Sequence, residues 1–264
     1  MDDVVNLSGK VAIVTGSSRG LGRGMAKVLA HAGADVVITS RTIDSLTEVT
    51  EEITALGAKV LALELDVRDE ASIRSMPEKV LDRFGRIDVL VNNAGMNIRK
   101  PALEVTWEDW DQILNTNLKS VFFCAQAVVP QMIKQKWGRI INIGSATNVV
   151  AFPRINPYCA SRGGIEQLTK SLAAEWAPLG ITVNVLAPGW FRTNQTRVLW
   201  EDPEWIARMQ ERIPAGRIGE PEELGGAVAF LASDAAAYVN GALLMVDGGF
   251  TTGGIANTVP LVQK

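Results

Sequence analysis

The sequence predicts an α/β fold in which helices cover both faces of a parallel sheet. Seven short runs rich in valine and isoleucine alternate with longer amphipathic stretches along 264 residues. Each run is almost continuously apolar, as is typical of strands that are buried on both faces. Strands and helices that alternate at this spacing join through right-handed crossovers, which make the strands parallel. We therefore expect residues 1–264 to form a single doubly wound domain around a seven-stranded sheet.

The predicted strands follow one another without a linker. They are Val11–Val14, Val36–Thr39, Val60–Leu63, Val89–Val91, Ile140–Ile143, Val183–Leu186 and Leu243–Val246. Between the strands, apolar residues recur at steps of three and four, as from Leu168 to Leu172 and Trp176, which predicts amphipathic helices. The polar and aromatic segment 190–214 breaks this alternation, and we predict that it forms a lid over the substrate site. The alternative is that its aromatic side chains pack onto its own body.

Composition excludes several classes of function. The formal net charge of −3 offers no basic surface for nucleic acid, and no apolar run approaches the ~18 residues of a membrane span. One histidine, His31, and two cysteines, Cys124 and Cys159, exclude histidine-rich or cysteine-rich metal sites, so we expect no metal. The widely spaced cysteines and the acidic start at residues 1–3 predict a cytoplasmic protein without a secretory leader. His31 falls where the first helix should end, and we interpret it as a helix residue rather than a catalyst.

A glycine-rich turn follows the first strand and opens the first helix. Its glycines, Gly16, Gly20 and Gly22, have the spacing G-x3-G-x-G. Glycines here let the backbone pass close to a pyrophosphate, and the helix N-terminus offers free N–H groups to the anion. The pattern predicts a Rossmann-type dinucleotide site. The alternative is a tight turn that uses glycine for packing alone.

The end of the second strand predicts the type of dinucleotide. NAD-binding folds usually place Asp or Glu about 20 residues after the glycines, on the adenine ribose. Ser40 and Arg41 stand there instead, and Arg19 lies in the glycine turn. Because guanidinium groups suit a 2′-phosphate, we predict NADP(H) rather than NAD(H). The alternative is that both arginines are ordinary solvated side chains.

Further motifs occur in a definite order along the chain. They are Asp66-Val67, Asn92-Asn93-Ala94-Gly95, Asn117, Ser145, Tyr158 thirteen residues later, Pro188-Gly189, Thr193 and Val246-Asp247-Gly248-Gly249. In type, order and spacing these motifs resemble the short-chain dehydrogenase/reductase family over about residues 7–252. The resemblance implies hydride transfer between C4 of a nicotinamide and a carbinol or carbonyl carbon, with a matching proton at the substrate oxygen.

The resemblance also implies roles for individual residues. Tyr158 is the expected acid and base, Ser145 holds the substrate oxygen, and Asn117 positions a water in the proton path. Asp66 is expected at the adenine and Thr193 at the nicotinamide carboxamide. The full set expected to bind the cofactor is Gly16, Ser18, Arg19, Gly20, Leu21, Gly22, Ser40, Arg41, Asp66, Val67, Asn93, Ala94, Gly95, Tyr158, Arg162, Pro188, Gly189, Phe191 and Thr193.

The chain departs from the family pattern at residue 162. The family has Tyr-x-x-x-Lys, whereas this sequence has Arg162 four residues after Tyr158, still on the same helix face. Arg162 keeps the positive charge and its fork suits the ribose hydroxyls, but a guanidinium does not release a proton and is bulkier than an ammonium. We expect the protein to be an enzyme in which Arg162, as a catalytic residue, slows the reaction. The interpretations left open are a natural variant, an engineered change, and a catalytically silent nucleotide-binding protein.

Polar residues beside the expected site favour a hydroxylated and anionic substrate over a steroid. They are Arg99, Arg154, Arg192, Asn97, Thr147 and Asn148. The segments 107–110 and 117–123 resemble the gluconate 5-dehydrogenase and sugar-acid branch of the family, which implies gluconate/5-ketogluconate or a polyol. Acyl-carrier-protein reductases share much of this pattern, so a 3-oxoacyl thioester is the alternative. The expected substrate-binding residues are Ser145, Thr147, Arg154, Tyr158, Trp190 and Arg192.

The resemblance implies an assembly as well. Many family members pair two long helices into a four-helix bundle and form homotetramers. These helices would lie at about 102–137 and 156–179, and the apolar tail Ile255–Val262 would favour a neighbouring subunit over water. We expect a homotetramer that binds a small molecule and neither nucleic acid nor membrane.

Overall fold

The computed structural model describes residues 5–193 and 196–253. Its strands are β1 (Val11–Val14), β2 (Asp35–Ser40), β3 (Val60–Glu64), β4 (Val89–Asn92), β5 (Gly138–Ile143), β6 (Ile181–Pro188) and β7 (Leu243–Val246). They form one sheet in the order β3-β2-β1-β4-β5-β6-β7, and every neighbouring pair is parallel. The predicted fold class and the positions of all seven strands are confirmed.

Helices cover both faces of this sheet. They are α1 (Gly20–His31), α2 (Thr47–Ala55), α3 (Glu70–Phe84), α4 (Trp107–Leu114), α5 (Ser120–Gln135), α6 (Asn156–Trp176), α7 (Arg197–Trp200), α8 (Pro203–Arg212) and α9 (Gly225–Ala232). Alternate residues of β1 point to opposite sides, so that Ala12 packs with α1, α2 and α9, while Ile13 packs with α3, α5 and α6. The result is a three-layer core with buried residues on both sides of the central strands.

The strand order places a crevice at the carboxyl ends of β1 and β4. The chain runs from β1 outward to β3, returns to β4, and then runs outward to β7. Connections that diverge in this way leave a ligand-binding cleft between them. The register pairs Val14 with Val91 and Asn92 with Asn142, so the strand ends lie level along this edge.

A buried polar chain fixes α6 against the same edge. The Asn92 Nδ2 donates to the Asn142 Oδ1, and the Asn142 Nδ2 donates to the Thr169 hydroxyl, both at 2.9 Å. Because buried amides are costly to leave unpaired, these bonds specify how α6 sits on β4 and β5.

The segment expected as one long helix over 102–137 is divided. It contains a 3-10 turn at Ala102–Glu104, then α4, a π-helical turn at Asn115–Lys119, and α5. Thr106 begins α4 with a reciprocal cap, in which its hydroxyl accepts from the Asp109 N–H and the Asp109 carboxylate accepts from the Thr106 N–H. Caps and π turns depend on side-chain contacts, so helical spacing alone did not reveal them.

Three other features bear on the expectations. Within the described part of segment 190–214 the chain forms α7 and α8. The tail Ile255–Val262 lies outside the described residues. In the portion of the chain that the structure covers, no helix combines the length and the apolar character needed to cross a bilayer.

Candidate active site

Close backbone contacts shape the glycine turn between β1 and α1. Gly16 and Gly20 have φ values of 64° and 57°, a conformation that favours glycine. A Cβ on Gly22 would lie 2.4 Å from both the Asn93 Nδ2 and the Gly16 carbonyl oxygen. Arg19 precedes α1 and its side chain makes no capping hydrogen bond. The turn is therefore closed to side chains, while the first N–H groups of α1 remain available to an anion.

Asn93 braces this turn from the neighbouring strand. Its Nδ2 donates to the carbonyl oxygens of Thr15 and Gly16, both at 2.9 Å. The Thr15 hydroxyl accepts from the backbone N–H groups of Asn93 and Ala94 at 2.9 and 3.0 Å. The Asn93 side chain, expected at the cofactor, thus contributes by holding the shape of the turn.

The end of β2 carries the charges expected at the adenosine. Arg19 and Arg41 are exposed, and the half-buried Asp66 lies nearby. The Asp66 carboxylate accepts from Nε and Nη2 of Arg68 at 3.1 and 2.8 Å. These hydrogen bonds from Arg68 lower the pKa of Asp66, and the charge of Arg41 acts in the same direction. Asp66 is therefore already paired with Arg68, a residue that sequence reasoning missed although it lies only two positions away.

Other residues expected at the cofactor line the same edge or support it. Ser18 and Leu21 are half-buried in the turn, whereas Val67 is buried in the core beneath α3. The Ser40 hydroxyl accepts from the Ser45 hydroxyl at 2.7 Å. A Cβ on Gly20 would lie 3.7 Å from the Thr193 Cβ, so the chain after β6 passes directly over the glycine turn.

Asn117 lies in the π-helical turn and is fully buried. Its Oδ1 accepts from the Met96 N–H at 2.9 Å, and its Nδ2 donates to the Met96 carbonyl at 2.8 Å. A longer contact of 3.4 Å joins Nδ2 to the Ser161 hydroxyl. Both ends of the amide are engaged by protein, so Asn117 acts on the site by fixing the backbone that follows Gly95.

Ser145 follows the carboxyl end of β5, and Arg162 links this end to Tyr158 through its contacts with the Ile143 carbonyl and the tyrosine ring. The Ser145 hydroxyl accepts from the Thr147 N–H at 3.2 Å, which leaves its proton free to be donated. Tyr158 lies in the first turn of α6 and is half-buried. Its hydroxyl makes no hydrogen bond with the residues that the structure describes. The resemblance assigned proton transfer to the Tyr158 hydroxyl and the substrate oxygen to the Ser145 hydroxyl.

Arg162 lies one helical turn after Tyr158 and is only 6% exposed. Its Cζ is 4.7 Å from the centroid of the Tyr158 ring, and its Nη1 donates to the Ile143 carbonyl at 2.6 Å. A Cβ on Gly95 would lie 2.9 Å from its Nη2. Its Nε is buried without a partner among the described residues. The Nε side of the guanidinium is thus able to bind an added ligand.

The loop after β6 departs from one expectation. Pro188 is buried, and Gly189 leaves room for Asp247, whose Cβ would be 2.5 Å from a Cβ on that glycine. Phe191 is buried with its ring against Gly219, and the two backbones form a parallel bridge. The Phe191 ring therefore packs in the core rather than facing a cofactor, because the bridge turns it inward.

The aromatic residues of segment 190–214 pack together. The Trp190 ring lies 5.6 Å from Phe152, 5.0 Å from Trp205 and 6.2 Å from Phe250, measured between ring centroids. The Trp200 Nε1 donates to the Thr193 carbonyl at 2.9 Å. These contacts agree with the alternative that the aromatic side chains pack on their own body.

Unpaired buried atoms concentrate around the cleft. In the described part of the chain, four of the five such side-chain atoms are Asn97 Oδ1, Thr147 Oγ1, Arg162 Nε and Trp190 Nε1, and the fifth is Thr182 Oγ1. Buried polar atoms are almost always hydrogen-bonded, so these atoms are positions where a bound water or a ligand would supply the partner. Thr147 is 8% exposed and lies two residues after Ser145.

The two arginines expected at the substrate differ in their contacts. Arg192 forms an ion pair with Glu220 at 3.5 Å and lies over the Trp200 ring at 5.4 Å. Arg154 is exposed with a φ of 68°, and its carbonyl accepts from the Lys100 N–H at 3.0 Å. Arg192 is therefore engaged by Glu220 and Trp200, whereas the exposed Arg154 side chain forms no ion pair with the residues that the structure describes.

Comparison with known proteins decides the family. The family model described as enoyl-(acyl carrier protein) reductase matches residues 16–251. The chain belongs to the short-chain dehydrogenase/reductase family. It is 46% identical over 246 residues to 2-dehydro-3-deoxy-D-gluconate 5-dehydrogenase of Escherichia coli K12, covering 93% of this chain and 96% of that one. The resemblance expected from the motifs is confirmed, and the chain is an oxidoreductase of this family.

Other members of the family are similar to a comparable degree. Gluconate 5-dehydrogenase of Gluconobacter oxydans is 43% identical over 94% of this chain and 97% of its own length. A 3-oxoacyl-(acyl-carrier-protein) reductase of Escherichia coli K12 is 44% identical over 93% of this chain and 98% of its own length. The solved structure of a gluconate 5-dehydrogenase from Burkholderia cenocepacia in complex with NADP and tartrate has a TM-score of 0.91 and 41% identity, covering 95% of this chain and 98% of that one.

Proposed function

We propose that the chain transfers hydride between NADP(H) and a secondary alcohol or ketone of a sugar acid or polyol. The observation that carries this proposal is the grouping of Ser145, Tyr158 and Arg162 at one sheet edge, beside the glycine turn. The unpaired Arg162 Nε and the free N–H groups at the start of α1 fit a bound dinucleotide. The nicotinamide, when bound, supplies or accepts the hydride.

The residues of the chain handle the proton. Tyr158 gives its proton to the carbonyl oxygen when a ketone is reduced and takes one back when an alcohol is oxidised. Ser145 donates a hydrogen bond to the same oxygen and stabilises the charge that develops there. Arg162 and Thr193 would hold the nicotinamide half of the cofactor, while Asn117 keeps the backbone beside Gly95 in place.

The exposed Arg19 and Arg41 support a preference for NADP(H). Both lie at the adenosine end of the cleft, and β2 ends in Ser40 without an acidic residue. A 2′-phosphate gains charge-assisted hydrogen bonds from guanidinium groups, whereas an unphosphorylated ribose gains little. The Burkholderia gluconate 5-dehydrogenase, which carries NADP, supports the same cofactor for this chain.

We further propose that Arg162 slows turnover. Its Nη1 is fixed on the Ile143 carbonyl, and its Cζ stacks on the Tyr158 ring. A guanidinium stays protonated, so it cannot pass a proton between solvent and Tyr158 as a lysine ammonium can. Cofactor binding is retained while the recovery of the proton limits the rate.

The substrate class rests on the relatives and on the unpaired groups. Gluconate and deoxygluconate dehydrogenases are among the most similar proteins, and neutral donors and acceptors at Asn97, Thr147 and Trp190 suit hydroxyl groups. The proposal assigns the substrate carboxylate to the exposed Arg154. The second candidate is a 3-oxoacyl thioester, which the similarity to the acyl-carrier-protein reductase favours.

A substrate panel tests these proposals. Purified protein is mixed with NADPH, and the loss of NADPH absorbance is followed with 5-ketogluconate, with a neutral ketose and with acetoacetyl thioester. We expect the sugar acid to give the highest kcat/KM. A higher kcat/KM with the thioester would favour the second candidate. Binding of NADPH without turnover of any ketone, persisting after Arg162→Lys, would indicate the silent protein.

We also propose that the protein forms a homotetramer through α5 and α6, and that segment 190–214 acts as a lid. Phe123 and Ile133 on α5 are 37% and 40% exposed, and a groove of about 670 Å³ runs beside Phe123 and Pro130. Such apolar area is more stable against a second copy than in water. Light scattering of the purified protein measures the number of chains directly.

A further inference from the structure

Asn148 joins the segment that carries Ser145 to the helix that carries Tyr158 and Arg162. Its Oδ1 accepts from the Ser145 backbone N–H at 2.8 Å, and its Nδ2 donates to the Arg162 backbone carbonyl at 2.6 Å. Its own backbone N–H donates to the Ser145 carbonyl at 2.9 Å. One side chain therefore holds the backbones of two residues of the proposed site.

The absence of a side chain at Gly144 leaves room for the Asn148 amide. A Cβ on Gly144 would lie 2.4 Å from the Asn148 Oδ1 and 2.7 Å from the Val185 Cγ1, so a larger residue at 144 would displace the amide. Arg162 also donates from Nη1 to the carbonyl of Ile143, just before that glycine. The segment from Ile143 to Asn148 thus forms hydrogen bonds with both the backbone carbonyl and the guanidinium of Arg162.

We propose that Asn148 is a positioning residue for the reaction, an inference that rests on the proposed function. Sequence reasoning treated it as a group for the substrate, but both ends of its amide are used by the backbone. The amide sets the spacing between Ser145 and the first turns of α6. Without it, the Ser145 and Tyr158 hydroxyls and the Arg162 guanidinium shift relative to one another, and a misplacement of about 1 Å costs roughly 100-fold in rate.

Asn240 provides a matched control. Its Oδ1 accepts from the Val183 N–H at 2.8 Å, and its Nδ2 donates to the Ala173 carbonyl at 3.0 Å. It therefore joins a strand to the same helix α6 by the same pair of bonds, but near the end of α6 remote from Tyr158. A substitution there removes the same chemistry without touching the proposed site.

The test compares Asn148→Leu with Asn240→Leu and the unchanged protein. We expect similar losses of Tm in both variants, because each leaves one N–H and one carbonyl unpaired. Only Asn148→Leu should lower kcat, by about 10- to 100-fold, with the KM for the ketone within about threefold. Only Asn148→Leu should weaken NADPH binding, measured by cofactor fluorescence, because Arg162 loses its anchor. Asn148→Ser, which is smaller and cannot span both bonds, should show the same pattern if the leucine variant does not fold.

Equal kcat and equal NADPH affinity in the two asparagine variants would overturn the role of Asn148. If the unchanged protein binds NADPH but turns over no ketone, the proposed reaction fails. NADPH affinity then decides the role of Asn148, and weaker binding confined to the residue 148 variants supports it. A parent protein that binds no NADPH would overturn both proposals.

Discussion

The guanidinium of Arg162 stacks on the ring of Tyr158, with 4.7 Å between Cζ and the ring centroid. A cation over an aromatic ring contributes about 0.5–2 kcal/mol, the larger value where water is excluded, as it is around this buried arginine. The contact keeps a positive charge beside the phenol and holds the ring in place. We propose that Arg162 keeps the positive charge of the lysine in a tyrosine–lysine pair but not the ability of that lysine to release a proton.

Replacing this arginine tests that division directly. Arg162→Lys should raise kcat by about tenfold or more, since the lysine ammonium can exchange protons and is less bulky. Steady-state rates with the best ketone of the panel measure the change. The same exchange at the exposed Arg74, which pairs with Glu70, serves as the control and should leave kcat unaltered. A kcat/KM for Arg162→Lys within a few-fold of the parent would contradict the proposed slowing.

The preference for a 2′-phosphate depends on Arg41. Arg41→Ala should weaken NADPH binding by about tenfold or more, which corresponds to the loss of one charge-assisted hydrogen bond, and leave NADH binding nearly constant. Titration of cofactor fluorescence provides both dissociation constants. Arg74→Ala, an exposed arginine removed from the cleft, should change neither constant. Equal losses for NADPH and NADH would show that Arg41 does not recognise the phosphate.

Gly22 and Gly226 should respond oppositely to the same substitution. A Cβ on Gly22 would lie 2.4 Å from two atoms of the turn, whereas a Cβ on Gly226 in α9 would meet nothing within 4 Å. Gly22→Ala should lower Tm and abolish tight NADPH binding, because Asn93 and the turn must separate. Gly226→Ala should raise the free energy of unfolding by up to about 1 kcal/mol through helix propensity. Calorimetry measures the stability of both variants. An unchanged NADPH affinity in Gly22→Ala would refute the role of the glycine turn in cofactor binding.

The indole N–H of Trp190 is the group to test at the substrate. Trp190→Phe keeps an aromatic ring among Phe152, Trp205 and Phe250 but removes Nε1, which has no partner in the described part of the chain. We expect the KM for the sugar acid to rise about three- to tenfold, with a small change in Tm and in NADPH affinity. Trp205→Phe alters the same cluster and should leave KM unchanged. An unaltered KM in Trp190→Phe would remove Trp190 from the substrate pocket.

Acid should weaken the fold through carboxylates that are paired in the native state. Hydrogen bonds from Arg217, aided by the Glu220 N–H, lower the pKa of Glu223 to about 2. Because the folded pKa lies below the unfolded value of about 4.3, the pairing stabilises the protein above that pH and is lost as the pH falls toward 2. Glu223→Gln should lower Tm at neutral pH and converge with the parent near pH 2. If the difference in Tm between the parent and Glu223→Gln is the same at every pH, the pairing of Glu223 does not contribute to acid sensitivity.

The strands were predictable because buried parallel strands form short, almost unbroken apolar runs that are rich in valine and isoleucine. The family resemblance, and not the pattern of strands, implied that Ser145 and Tyr158 share a site, since Tyr158 lies on α6 and follows no strand end. The charge at Arg162 was visible in the sequence, but its bond to the Ile143 carbonyl was not, because that bond depends on how α6 docks on β5.

The amides were the least predictable part of the site. The resemblance implied that Asn117 positions a water, and Asn148 was expected beside the substrate. Their partners are instead the backbones of Met96, Ser145 and Arg162. Phe191 shows the same limit, since an aromatic residue beside a Pro-Gly pair carries no sign of facing inward or outward. Its direction is set by a backbone bridge to Gly219, 28 positions later in the chain.

The π-helical turn at Asn115–Lys119 makes this part of the chain intolerant of changes in length. Such a turn carries one residue more than an α-helix would, and each residue rotates the following side chains by about 100°. Deleting a residue beside Asn117 would restore ordinary winding and move the Asn117 amide away from the Met96 backbone. Insertions and deletions should therefore be rejected here even where single substitutions are accepted.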